Sequence, residues 1–354
     1  MDFGYTLIDT LGHKLNLGAK FAYAFHRVNF DGDLSLAYTF NPFNQSIIKV
    51  SGGHVTLDYG SGMPVFLNTI YTLLFEENHK KFYQADYFKV LHSREIINGF
   101  WFRGSLEYVK RYPLQNHTNF TFINWKDKEF TPNIPDYPNL DTTLIEPHNA
   151  AIFSISLKYT PRQRYYTRKT GKFPAGSNYP TFKFDYRKAL GGFTSTNSDF
   201  DFVEIGVNQS LSTGLNDRLW YRMNGGGFIT NKEVFFADFR QFSSNPVLLM
   251  SSDSRRNTYR LLPYYSYATD RGFFEGFVYW ENDRLLLKRL PLMNRTLISE
   301  SLFINYLSTS ELNNYFEIGY GLNNIFLFLN LEGVVGFENG KYKMAGLRIS
   351  VNIF

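Results

Sequence analysis

Strict alternation of apolar and polar side chains, sustained over unusually long segments, most limits the folds open to this chain. Leu15, Leu17, Ala19, Phe21, Tyr23 and Phe25 alternate with Lys14, Asn16, Gly18 and Lys20. Leu34, Leu36, Tyr38 and Phe40 repeat the pattern, as do Ala151, Phe153, Ile155, Leu157 and Tyr159, then Phe182, Phe184 and Tyr186, then Leu327, Leu329 and Leu331. A period of two places one set of side chains on each face of a β-strand. A soluble sandwich alternates too, but its strands average about 5–6 residues, whereas a tilted strand needs about 9–11 to cross a bilayer. The segments 13–27, 97–110, 216–230 and 340–354 reach that length. Their polar faces carry full charges in mid-strand (Arg103, Glu107, Lys183, Asp185, Glu204), which suits a hydrated lumen better than a thin two-sheet core.

Composition points the same way. Aromatic residues make up 18% of the 354 residues, with 36 Phe and 25 Tyr, more large rings than a soluble core needs but what two membrane–water interfaces favour. No stretch approaches the roughly 20 apolar residues of a membrane helix. The most apolar run, Ile325–Leu329, is broken at once by Asn330 and Glu332. Any bilayer crossing must therefore use a closed barrel, because lipid cannot satisfy open backbone groups. The absence of cysteine rules out disulfides and thiolate metal sites. The net charge of +5 is spread along the strands and forms no footprint for nucleic acid.

Counting alternating segments gives a transmembrane antiparallel β-barrel of about sixteen strands with a polar lumen, within the even-numbered range of bacterial barrels. With the C-terminus periplasmic, the turns near 10–13, 41–45, 95–99, 211–216 and 321–324 are short and periplasmic. The longest connection, 111–147, holds Pro113, Pro132, Pro135, Pro138 and Pro147 and falls outside as an extracellular loop. Connections near 160–178 and 241–256 depart from the pattern by being long on the inner side. After Pro64, the residues Phe66, Ile70, Leu73 and Leu74 recur at helical spacing up to about Lys80. The run Leu285–Leu297, with Pro291 inside it, reads as a short helix in a loop or a piece folded into the lumen. The chain forms one domain over 1–354. The opening residues Met1–Tyr5 have no basic or apolar leader character, so the chain reads as a mature or truncated product.

The last strand holds the most specific local signal. Gly346, Leu347, Ile349 and Val351 lead to an aromatic Phe354 at the final position, similar to the C-terminal signal by which bacterial barrels reach the insertion machinery. Phe354 shares strand parity with Arg348 and Ser350 instead of the apolar set. Catalytic chemistry is not legible. The seven histidines (His13, His26, His54, His79, His92, His117, His148) are scattered, and no nucleophile elbow, P-loop or dinucleotide fingerprint is present. Gly225–Gly227 lies inside an alternating segment and is expected to allow bending or close backbone approach. Glu76 and Glu77 read as a solvated surface pair. No enzyme, cofactor or metal site is expected.

Several stretches, in order, resemble an uncharacterised Bacteroidetes outer-membrane β-barrel family, a domain of unknown function. They are Leu67–Leu74, Asn98–Gly99 leading to Tyr112–Asn116, Tyr179–Phe182, Leu261–Thr269, Phe274–Gly276, Lys288–Leu292 and Asn314–Gly321. The resemblance implies full-length members with an N-terminal carboxypeptidase-regulatory-like β-sandwich. It also implies that this chain lacks that domain and the segment opening the barrel. The stretch Phe277–Asp283 departs from the histidine- and glycine-bearing pattern of the family. The family is distantly similar to the BamA-like surface-antigen superfamily, whose barrels insert or secrete proteins. Those carry an Arg-Gly-aromatic tripeptide on a loop folded into the lumen, where the Arg pairs with a wall carboxylate. Arg271, Gly272 and Phe273 match that tripeptide here.

Three functions follow as expectations. The first is a barrel of the assembly or secretion type, whose wall seam acts on polypeptide or lipid. The second is a transport channel with a charged, solute-selecting lumen. The third is a soluble β-sandwich binding module. The expected surroundings are outer-membrane lipid and lipopolysaccharide, the barrel-insertion machinery met through the C-terminal strand, and other outer-membrane or periplasmic proteins.

Overall fold

A computed structural model describes residues 1–60, 62–125, 128–192, 196–212, 214, 217–251, 255–291 and 295–351. It is built from strands: β1 (Asp2–Ile8), β2 (Lys14–Ala24), β3 (Asn29–Asn41), β4 (Ser46–Asp58), β5 (Phe82–Ile97), β6 (Phe100–Pro113) and β7 (His148–Tyr159) open the chain. A small hairpin, β8 (Arg164–Arg168) and β9 (Gly171–Gly176), stands apart. The series resumes with β10 (Thr181–Ala189), β11 (Asp199–Ser212), β12 (Arg218–Glu233), the short β13 (Leu249–Ser251), β14 (Phe273–Asn282), β15 (Ser299–Thr309), β16 (Tyr315–Ile325), β17 (Leu329–Glu338) and β18 (Lys341–Val351). One α-helix is described, α1 (Val65–Phe75).

All but β8 and β9 join one 16-stranded sheet, ordered β1 to β7, β10, β11, β12, β14 to β18 and finally β13. Neighbours along the wall are antiparallel, and β13 alone pairs in parallel, with β18. This is the expected antiparallel β-barrel of about sixteen strands, with one of the sixteen supplied by a long connection instead of the wall.

The barrel is inside-out. On β15 to β18, Asn305, Glu317, Asn330, Glu332, Arg348 and Ser350 are buried, while Ile304, Ile318 and Leu347 are exposed at 50%, 43% and 59%. Further round, Leu36, Val90, Leu106, Phe182, Phe184 and Ile205 also stand outward and exposed. In water such an arrangement would leave apolar surface wet while sinking charge. A lipid-facing outer band around a polar interior removes both costs.

The connections at one end are short: 9–13, 42–45, 98–99, 213–217 and 326–328, joined there by 160–180 and 283–298. The opposite end carries 59–81, 114–147 and 234–272. The connection expected on the short-turn side near 241–256 therefore lies at the loop end. Apolar residues clustered without a period of two there build a plug, not wall strands. The Leu285–Leu297 run is irregular, with one 3₁₀ turn at Leu287–Arg289, and its residues 292–294 lie outside the described ones. α1 starts after Pro64, as the spacing predicts, and stops earlier than Lys80 because Glu76 turns left-handed (φ 57°).

Gly225–Gly227 lies within β12. A Cβ at Gly226 would sit 2.1 Å from the Val203 carbonyl oxygen, and one at Gly227 would sit 2.8 Å from Gly272 Cα. Close approach of neighbouring backbone is the reason for that run.

Candidate functional site

The described residues of the loop-end connection 234–272 enter the barrel and occupy part of its interior. Phe236, Phe239, Phe242, Tyr259, Leu262 and Tyr265 pack against inward rings of the wall, among them Tyr83, Phe200, Phe202, Phe273 and Phe277. Around this apolar centre, buried ion pairs fix the plug to widely separated strands. Arg111 on β6 grips Asp238 through two bonds of 2.6 and 3.0 Å. Arg240 reaches Glu204 on β11 at 2.9 Å and Glu275 on β14 at 2.8 Å.

A third anchorage, with several partners at once, is at Arg260. Its side chain is fully buried, and its Nε donates to Glu332 Oε2 on β17 at 3.0 Å. Nη1 donates to the Thr258 carbonyl at 2.6 Å, and the guanidinium lies 4.0 Å over the Phe303 ring. Glu317 on β16 accepts the backbone N–H groups of Arg260 and Leu261 at 2.8 and 2.7 Å, and Asn305 Nδ2 at 3.0 Å. Two carboxylates at lumen-facing positions of adjacent strands thus hold one dipeptide of the plug. Charge-assisted bonds of this kind are the stronger class, and the low polarity around them raises what is lost when one partner goes.

The plug then reaches the last strand. Arg348 Nε donates to the Arg260 carbonyl and Nη2 to the Pro246 carbonyl, each at 2.8 Å. The Ile349 N–H donates to the Leu248 carbonyl at 2.8 Å, and Leu249, Met250 and Ser251 pair with Ile349, Ser350 and Val351. The Leu249 N–H also donates to Tyr71 Oη of α1 at 3.1 Å. The edge of β18 that faces away from β17 is therefore held by the plug, which α1 braces through Tyr71. At the other end of the sheet β1 has, among the described residues, only β2 beside it in the ladder, and all of it is exposed.

Above the plug, Tyr265 Oη donates to Asp58 at 2.9 Å and accepts the Lys81 N–H at 2.8 Å. Burial pushes the Lys81 ammonium down to about 8, with Asp136 opposing in part. Burial likewise lowers His79, against the pull of Glu77. Glu76 and Glu77 separate in role. Glu76 is buried, contrary to the solvated reading, because its left-handed turn carries the carboxylate inward to accept the Trp125 N–H at 3.0 Å. Glu77 pairs with Lys128.

Of the residues singled out by sequence, Arg271 and Gly272 lie exposed at the bend before β14, and Phe273 is buried at the strand's start. The Arg271 N–H donates to Thr269 Oγ1 at 3.1 Å. The plug arginines that pair with wall carboxylates are Arg240 and, eleven residues before Arg271, Arg260. The signals for Arg260 were an arginine inside an apolar, aromatic stretch and two lumen-parity carboxylates, Glu317 and Glu332, in want of a cation. On β18, Leu347 and Val351 face outward and exposed, Gly346 and Ile349 are half-buried, and Phe354 lies outside the described residues.

Comparison with known proteins gives a consistent frame. The profile described as "Family of unknown function (DUF5686) C-terminal domain" matches residues 1–322. Among solved structures, the chain is similar to that titled "The crystal structure of BamA from Haemophilus ducreyi lacking POTRA domains 1-3", with TM-score 0.51 and 10% identity. The match covers 98% of this chain and 66% of that one, so this chain spans just under two thirds of its relative's length. At that identity the likeness is one of fold. No curated protein matches.

Proposed function

This chain belongs to the family of unknown function DUF5686, as its C-terminal domain, and on that premise we propose an outer-membrane β-barrel of the assembly or secretion type, handling polypeptide or lipid at the seam beside β18. One observation carries this reading. The outer edge of the last strand is occupied by three residues of the plug, Leu249–Ser251. A strand edge offers unpaired N–H and C=O groups as a template for another strand. Three register pairs cover that template, against ten between β17 and β18, so this cover is the more easily released. Its surroundings would be outer-membrane lipid and lipopolysaccharide, and the insertion machinery would meet it through Gly346–Phe354.

The chain has no cysteine, which permits a clean test. Met250 and Ser350 are register partners and both buried, so Met250→Cys/Ser350→Cys should form a disulfide that locks the plug on the edge. In a strain lacking the protein, the locked variant should fail to restore the outer-membrane protein and lipid profile until reductant is added. Full complementation by the locked form would refute a working seam.

A channel reading is favoured by a different feature, a cavity of about 530 Å³ lined by Asp185, Arg187, Glu204, Arg222 and Arg240. In that case the locked variant complements, and conductance follows the charge of those residues instead.

A further inference from the structure

The hairpin β8–β9 projects from the short-turn end and lies along the rim. Its inner face is fastened to three successive turns. Tyr165 Oη accepts the Gly99 N–H at 2.8 Å, Lys172 Nζ meets Glu95 and Asn98 at 2.6 Å each, and Gln45 Nε2 donates to the Lys172 carbonyl at 2.7 Å. Thr170 lies so close to Gly12 that a Cβ there would sit 2.1 Å from its carbonyl oxygen. The hairpin is thus a strap running from β7 to the β1–β2 turn.

Its outer face has another character. Arg164, Tyr166 and Arg168 share one side of β8 and are exposed, with Lys169 following. Phe173 stacks on Tyr166 at 5.4 Å, and the Arg168 guanidinium lies over the same ring at 5.2 Å. From 160 to 180 the sequence holds five basic residues and no acidic one. Of these only Lys172 has a carboxylate partner among the described residues. The turns beneath the strap expose Ile8, Leu11, Phe43, Ile96 and Ile97.

We propose that the outer face of this strap binds the anionic phosphate headgroups of the lipid leaflet at the short-turn rim. The argument is one of juxtaposition. Rings that are apolar in body and polar at one edge settle at the headgroup level, and cations beside them gain from anionic lipid. The exposed apolar turns continue the outer band of the wall to the same level, so the strap lies where headgroups are. An acidic soluble protein would match the charge but not the adjoining apolar turns. The proposal rests on the membrane-barrel reading.

The test uses the whole chain with Ala175→Cys, an exposed β9 position, carrying a bimane label. The barrel is reconstituted into phosphatidylcholine vesicles with a minority of phosphatidylglycerol, bromine being carried on one lipid or the other. Brominated phosphatidylglycerol should quench well beyond its mole fraction, and high salt should erase the excess. Arg164→Glu/Arg168→Glu/Lys169→Glu, which leaves Tyr165 and Lys172 docked, should cancel it, with about a fivefold loss of selectivity for each cation removed. Quenching in proportion to mole fraction, or by neither lipid, in a barrel that still shows heat-dependent gel mobility would overturn the strap's role. A chain that neither inserts nor shows that mobility shift would overturn the barrel reading with it.

Discussion

Replacing Arg260 by methionine is the sharpest perturbation of the plug. The guanidinium and both carboxylates it serves are buried, with Glu332 1% and Glu317 0% exposed. Arg348, the cross-strand neighbour of Glu332, commits its own guanidinium to the carbonyls of Pro246, Arg260 and Leu347. In the closed state of Arg260→Met, Glu332 therefore loses the arginine that pairs with it. Removing one partner of a buried pair costs about 3–5 kcal/mol. An opened plug lets water reach that carboxylate, so the cost falls on the closed state alone. At about 1.4 kcal/mol per power of ten, the open population should rise by roughly two to three and a half powers of ten. Two assays read this: conductance in planar bilayers, and trypsin cleavage after Arg255 or Arg256, half-buried plug residues that contact Asn323 and Glu281 of the wall. Arg260→Met/Glu332→Leu removes both charges and should recover most of the closure, because an apolar pair of similar volume is often neutral or better. The reasoning is refuted if Arg260→Met is as quiet and protease-resistant as Arg289→Met, a control at an exposed arginine, or if the double variant leaks as much as the single.

Further outcomes follow from other features. Gly226→Ala places a Cβ 2.1 Å from the Val203 carbonyl and should destabilise the wall by about 1–3 kcal/mol, read as a lower temperature for loss of the heat-shifted gel form. Arg111→Met strands Asp238 at the opposite side of the plug and should add to the trypsin sensitivity of Arg260→Met, since the two anchors share no partner. Lys81 has a folded value of about 8 against an ordinary 10.5, so the loop cluster should gain stability as pH rises across that window. Below about 8 both states are protonated and the slope vanishes. Hydrogen exchange of residues 78–82 should show protection increasing by up to an order of 3 kcal/mol, and Lys81→Met should abolish the trend. Lowering the pH below about 6.5 should loosen the same cluster, because His79 resists protonation when folded.

The wall was legible because its physics is local. A strand facing lipid outside and water or plug inside must alternate, so Leu15–Tyr23 and Leu34–Phe40 identify themselves without reference to any partner. The plug has no such period. The described residues between 236 and 268 make long-range contacts such as Arg111–Asp238, 127 residues apart, and no short window of sequence shows those. For the same reason Arg260 did not stand out while Arg271, which carries the expected tripeptide, did. The tripeptide specifies a turn, whereas the pairing depends on which arginine lies opposite Glu332. Glu76 was misread because the left-handed residue ending α1 decides its direction. The strap at 160–180 was visible as an over-long turn, and its charge as composition, but its docking to Glu95 and Gln45 belongs to tertiary structure.

The wall alternates direction at every step, and among the described strands of the large sheet β13 is the one lying outside that meander. Fifteen alternating strands remain when β13 is set aside, an odd number, so β1 and β18 point the same way. Direct contact between them would be a parallel junction, with slanted bonds slightly weaker per residue than those of every other junction in the wall. The parallel seating of β13 on β18 already has that polarity. Among the described strands β13 thus runs parallel to β1 as well as to β18, so a strand antiparallel to one of these edges is antiparallel to the other.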